Sequence, residues 1–211
     1  MDTQITPDYT QLATPSQIQR TIAAVEARGI KVQLVDTAAE ALDKLQALIP
    51  TGERVMTAAS QTLKEIGFEA LLKSESHLWF NLKGELLAET NPQKQGELRI
   101  QSALSEYYLG SVQAIAETGE IVTASHSGSQ LASYAFTSRN VIWVVGVQKI
   151  VPTLEDAMRR IREYSLPLED QRAKAMGMRG SRIGKILIFE MEPPHLRRNI
   201  NLILVNQLVG A

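Results

Sequence analysis

The stretch Val141-Ile-Trp-Val-Val-Gly-Val147 is apolar at every position and rich in β-branched side chains. A strand with one wet face alternates apolar and polar residues, so an unbroken run calls for cover on both faces. The run is also far shorter than the ~20 apolar residues that a membrane-spanning helix needs. Its surroundings suit a strand inside a parallel sheet. Thr14 and Pro15 open a helix with Ile18, Ile22 and Val25 on one face, and Gly29 stops it. Lys31–Val35 is a strand, and Thr37 with Glu40 forms a capping box that opens a helix with Leu42 and Leu45 inward. Arg54–Ala58, a short stretch around Leu78–Leu82, Val112–Ala116 and Ile121–Ala124 are further strands, while Leu98–Leu109 has a helical pattern. Thr153–Asp156 caps a helix with Met158 and Ile161 inward, and the strands Lys185–Glu190 and Asn201–Val205 follow, separated by Pro193 and Pro194. Alternating helices and strands predict an α/β fold: a mostly parallel central sheet with helices on both faces, in three α/β/α layers.

With 211 residues, 44% apolar and 21% charged, the chain can bury a substantial core and is not a disordered polymer. The polar stretch 1–14 is expected to be a flexible arm, and residues 15–211 a single domain. A formal net charge of −1 offers no global field for nucleic acid or an anionic membrane, so neither is expected as a partner. The N-terminal residues have neither the basic start nor the apolar core of a secretory signal, and the expected location is cytoplasmic. There is no cysteine, which excludes a disulfide framework, a thiol nucleophile and an iron–sulfur cluster held by the chain's own thiolates. Self-association into a homo-oligomer stays open.

The common cofactor and catalytic signatures are missing: no G-x-G-x-x-G after a strand, no G-x-x-x-x-G-K-[ST], no H-E-x-x-H and no G-x-S-x-G. His77, His126 and His195 lack metal-ligand spacing, so no metal is assigned and the cofactor is unknown. What the chain does carry is small polar residues at strand-to-helix junctions. Ligands collect at the carboxyl ends of parallel strands, where free amides and hydroxyls face an anion. Thr57–Thr62 contributes Ser60 and Thr62; Ser125–Gln130 contributes Ser125, Ser127, Gly128, Ser129 and Gln130. Both loops are expected to converge on one cleft holding a small anionic ligand, although serine and threonine before a helix also serve as plain caps. Glu117, in the turn Glu117-Thr-Gly119, is a candidate nucleophile or general base and equally a solvated turn residue. The stretch Met176–Lys185, with Gly177, Gly180, Gly184, Arg179 and Arg182, could wrap a phosphate or carboxylate, or form a mobile surface loop.

Three stretches match one family in order: TGERVMTAASQTLKEIGFEALL, SVQAIAETGEIVTASHSGSQLAS and RNVIWVVGVQKIVPTLEDAMRRI. Over roughly residues 15–165 the chain resembles the LUD (lactate-utilisation) domain family. The resemblance implies a fold shared with glucosamine-6-phosphate deaminases, ribose-5-phosphate isomerases and CoA transferases. It implies an accessory or catalytic role in the utilisation of lactate or a similar small carboxylate, beside iron–sulfur partner proteins. It adds Gly146 and Lys149, the glycine and basic residue of the third stretch, to the ligand-binding set. Relatives of similar size often carry a cysteine cluster where this chain has LPLEDQRAKAMGMRGSRIGK, so a redox role here needs a partner protein or a bound organic cofactor. Ala116-Glu-Thr-Gly119 also resembles the glutamate turn of CoA transferases, which implies Glu117 as the nucleophile of a transferase-like or sugar-phosphate-type enzyme. A non-catalytic binding or scaffold subunit is the third reading.

Overall fold

The computed structural model describes residues 8–74 and 76–211. In chain order the first half comprises α1 (Pro15–Ala27), β1 (Lys31–Val35), α2 (Ala38–Ala47), β2 (Arg54–Thr57), α3 (Gln61–Glu65), α4 (Phe68–Lys73), β3 (Phe80–Asn81), α5 (Leu82–Ala88) and α6 (Pro92–Ser102). Then come β4 (Tyr107–Gly110), β5 (Ala114–Ala116), β6 (Ile121–Ser125), α7 (Ser129–Ala132) with a wider turn over Ser133–Thr137, and β7 (Asn140–Gly146). A tight turn, Val147–Lys149, leads to β8 (Ile150–Val151), α8 (Leu154–Arg160), α9 (Leu166–Ala175), β9 (Lys185–Phe189) and β10 (Asn199–Val205). No helix among the described residues is long and apolar enough to cross a membrane.

Six strands form a sheet in the order β1-β10-β7-β4-β2-β3, every neighbouring pair parallel. β7 lies inside it, and all of its residues are buried. Successive side chains of a strand point to opposite faces. Val141, Trp143 and Val145 therefore join one core with Ile18 and Val25 of α1 and Leu82 and Leu86 of α5, and Ile142 and Val144 join another with Ala41 and Leu45 of α2 and Leu63 and Phe68 beyond. Burying each large side chain of this strand contributes roughly 1.5–3 kcal/mol of transfer free energy. The result is the three-layer α/β/α arrangement.

A second sheet, in the order β8-β5-β6-β9, is mixed: β5–β6 and β6–β9 are antiparallel and β5–β8 parallel. It packs Ile115, Ile121, Ile150 and Phe189 onto the main sheet, and Val122 and Val151 under α8. The strands at 185–190 and 201–205 thus do not pair with each other; one enters each sheet. The expected helix over Leu98–Leu109 is corrected as well. α6 ends at Ser102, and Tyr107–Gly110 is an interior strand. Tyr108 and Leu109, adjacent in sequence, enter the two opposite cores, which a strand achieves and a helix does not.

Local signals explain the helix starts. Thr14 and Gln17 make a reciprocal capping box at α1. Thr37 accepts from the Glu40 amide at 3.2 Å, but the Glu40 carboxylate accepts from Asp36 N, not from Thr37 N. Of the arm expected over 1–14, residues 1–7 lie outside the described residues. Within 8–14, Tyr9 is buried against Tyr164, with ring centroids 5.3 Å apart.

Candidate functional site

Because β2, β4 and β7 are parallel neighbours, their carboxyl ends deliver three segments to one edge of the sheet: Ala58–Thr62, Ser111, and Val147–Lys149. Beside them, β6 ends in the loop Ser125–Gln130. These segments border a cleft of about 670 Å³ whose lining includes Ser60, Thr62, Ser125, Ser127, Ser129 and Gln130. Two loops more than sixty positions apart thus share one wall.

Their hydroxyls also cap. Ser60 Oγ accepts from Leu63 N at 3.2 Å, and Ser125 Oγ accepts from Gly128 N at 2.9 Å while donating to Gln130 Oε1 at 3.0 Å. Gly128 itself does not line the cleft. It turns the loop with a φ of +89°, a conformation costly for residues with a Cβ, and a Cβ there would come within 2.5 Å of Lys185 Cδ. The glycine-rich stretch is fastened to this loop: Gly184 N donates to Ser125 O at 3.1 Å and Lys185 Nζ to Ser127 O at 2.9 Å. Arg182 reaches the cleft, whereas Arg179 borders a smaller hollow of about 270 Å³ beside His126.

The floor of the cleft holds Lys149, only 2% exposed. Its Nζ donates to Thr62 Oγ1 at 3.2 Å and to Ser111 Oγ at 3.3 Å, and Thr62 Oγ1 donates to Ser111 Oγ at 3.2 Å. It takes part in none of the ion pairs among the described residues. Burial pulls its pKa down from 10.5 to about 7, the nearby Arg160 charge pulls the same way, and Glu65 opposes both. Lysine is almost never fully buried without a carboxylate partner, so this amine is out of keeping with a purely structural role.

More cations stand above it. Lys83 of α5, Arg99 of α6, Arg172 of α9 and Arg182 line the cleft, against one carboxylate side chain, Glu169. That carboxylate is taken by Arg172 at 2.6 Å. Burial, followed by the Arg99 charge, lowers the Lys83 pKa. Cations therefore outnumber carboxylates among the side chains that line the cleft, with hydroxyl donors interspersed. Among the described residues no group of three or more His, Cys, Asp or Glu is placed to hold a metal ion.

Besides Gly128, two expected site residues are absent from the lining. Glu117 sits on the β5–β6 turn facing α1, away from the cleft. One of its oxygens accepts from Arg20 Nη2 at 2.6 Å and Nε at 3.1 Å, the other from Gln17 Nε2 at 2.8 Å, so both carboxylate oxygens are occupied. The structure therefore does not bring Glu117 together with the other expected site residues at this cleft. Gly146 likewise does not line it; a Cβ there would lie 2.1 Å from Gln148 Oε1, and the bare Cα makes room for the amide that donates to Val209 O and Gly210 O. Conversely, Ser111, Lys83 and Arg99 belong to the lining, although their stretches of sequence carried no site signal.

A family model described as the LUD domain matches residues 18–203. Among solved structures, a DUF162 family protein from Deinococcus radiodurans is similar, with 12% identity, a TM-score of 0.51, and coverage of 92% of this chain and 98% of that chain. At that identity the likeness concerns the fold alone. No curated protein matches.

Proposed function

The chain belongs to the LUD domain family, and on that premise we propose that it serves the utilisation of lactate or a similar small carboxylate, holding the anion in the strand-end cleft. The observation that carries this reading is the charge imbalance of the lining. Lys83, Arg99, Arg182 and Lys149 have no carboxylate side chain of their own in the cleft. Lys149 is buried and Lys83 half-buried, whereas Arg99 and Arg182 are exposed at the rim. A buried cation without a counter-charge is costly, and a carboxylate bound among these groups relieves that cost. Each hydrogen bond to a charged group contributes about 1.5–3 kcal/mol. Ser60, Ser127 and Ser129 add hydroxyl donors at the wall.

The chain has no cysteine, so electrons removed from a hydroxy acid need an acceptor outside its own side chains. Iron–sulfur partner proteins of lactate oxidation fill that place in this reading, and the chain's contribution is to bind and orient the acid. The size of the cleft favours a second reading. About 670 Å³ is more than a three-carbon acid fills, and it suits an acid carried on a larger body, such as a phosphorylated sugar.

Isothermal titration with L-lactate, pyruvate, a sugar phosphate and chloride tests both. Saturable binding of an organic anion, weakened in Arg99→Ala, is the expected result. Absence of binding for every carboxylate and phosphate would overturn the proposal, and a marked preference for the sugar phosphate would select the second reading.

A further inference from the structure

We propose that Lys149 is a carbonyl nucleophile, its side-chain amine forming a Schiff base with the carbonyl carbon of a 2-oxo acid bound in the strand-end cleft. The inference rests on the anion-binding reading of that cleft and adds a covalent step to it.

Three features of the site meet what this chemistry needs. The amine must be held at the ligand and not tied up by a carboxylate. Lys149 meets that requirement, because its partners are the hydroxyls of Thr62 and Ser111, and it joins no ion pair among the described residues. The amine must also be neutral in a useful fraction near neutral pH. Burial disfavours its charge most, the fully buried Arg160 of α8 acts the same way, and Glu65 of α3 opposes both. Glu65 is engaged elsewhere, accepting from Gly210 N at 2.6 Å and from Gln61 Nε2 at 2.8 Å. Finally, the acid group of the ligand needs a cation other than the nucleophile, and Lys83, Arg99 and Arg182 supply it. Lysines desolvated beside another cation are the ones that attack carbonyls.

The step balances without an oxidant or reductant. The nitrogen lone pair attacks the carbonyl carbon, a C–N bond forms, and the C=O π pair moves onto oxygen. One nitrogen proton passes to that oxygen through the hydroxyl of Thr62 or Ser111, each of which can accept and donate. The resulting carbinolamine then loses its hydroxyl with the second nitrogen proton as water, leaving the imine.

Borohydride trapping tests this. The full-length protein is incubated with pyruvate, 2-oxobutyrate or 2-oxoglutarate, treated with sodium borohydride, and examined by intact mass and peptide mapping. The expected result is one secondary-amine adduct on Lys149, absent with L-lactate, which has no carbonyl, and absent in Lys149→Met and Lys149→Arg. The arginine variant keeps the charge, so its loss of the adduct separates nucleophile from anion holder. Calorimetry on the same samples distinguishes the failures. Binding of a 2-oxo acid without an adduct, or an adduct undiminished in both variants, overturns the Schiff base and leaves the anion site standing. No adduct together with no binding of any carboxylate or phosphate overturns both.

Discussion

Lys149 Nζ lies 3.2 Å from Thr62 Oγ1, a contact between residues 87 apart in sequence that joins the turn after β7 to the first turn of α3, the helix that follows β2. It places an amine where stability and ligand binding pull in opposite directions. The folded-state pKa of Lys149, about 7, lies below its ordinary value of 10.5. Between those values the unfolded chain binds more protons than the folded one. The group's destabilising effect therefore grows as pH falls through that window and is complete below about pH 7. Lys149→Met should stabilise the fold at pH 7 by on the order of 2–4 kcal/mol while weakening anion binding, and the stability gain should shrink toward pH 10. Denaturant unfolding of both proteins at pH 7 and pH 9.5 measures the difference. Equal gains at the two pH values would count against a depressed lysine.

Val144 lies on the fully buried interior strand, among Ala41, Leu45, Leu63 and Phe68. Val144→Asp puts a carboxylate there with no partner. A loss of roughly 4 kcal/mol or more is expected, which would be read as failure of soluble expression or a collapsed melting transition.

Glu117→Gln should leave anion binding unchanged and cost no more than about 1 kcal/mol, because its partner Arg20 is well exposed and the pair is screened by solvent. Acyl-CoA is expected to leave no hydroxylamine-sensitive adduct on the parent protein. Intact mass before and after hydroxylamine checks this; an adduct lost in the variant would restore the transferase reading.

Gly128→Ala meets both a left-handed backbone and Lys185 Cδ. The side chain can move, but only by giving up the bond from Lys185 Nζ to Ser127 O. A cost of about 1–2 kcal/mol is expected from the backbone, a drop of roughly 2–8 °C in melting temperature for a chain this long. Weaker anion binding should accompany it, since Ser127 and Ser129 shift with the loop. Differential scanning calorimetry and titration read the two effects.

What could be seen in the sequence follows from how local each signal is. The apolar run of β7 and the caps Thr14, Thr37 and Thr153 are short-range features, and they sufficed for the layered α/β fold. β4 escapes the sequence reading because only four residues separate Tyr107–Gly110 from a real helix, and its apolar residues extend that helix's pattern. With β4 went Ser111, the residue just past its end. The loops at Ser60 and Ser125 were visible as polar segments between strand and helix. Lys149 was reached only through the family resemblance, since one basic residue after a strand is ordinary. Lys83 and Arg99 lie on helices whose polar surroundings hide which side faces the cleft. Glu117 was correctly read in a turn, but its partners Gln17 and Arg20 lie 100 and 97 residues away, beyond any local pattern.

The place of β10 sets the order in which the molecule can be assembled. It lies between β1 and β7, with Asn199 168 residues from Lys31 and 59 from Asn140. Until β10 slides between them, β1 has no partner strand in this sheet and the interior strand β7 lacks one of its two neighbours. An emerging or partly unfolded chain therefore exposes two apolar strand edges that only its own distant segment can cover, and closing such long loops is slow. During that interval another copy's strand competes for the same edges, which makes the last-joining strand the point where correct folding and aggregation diverge.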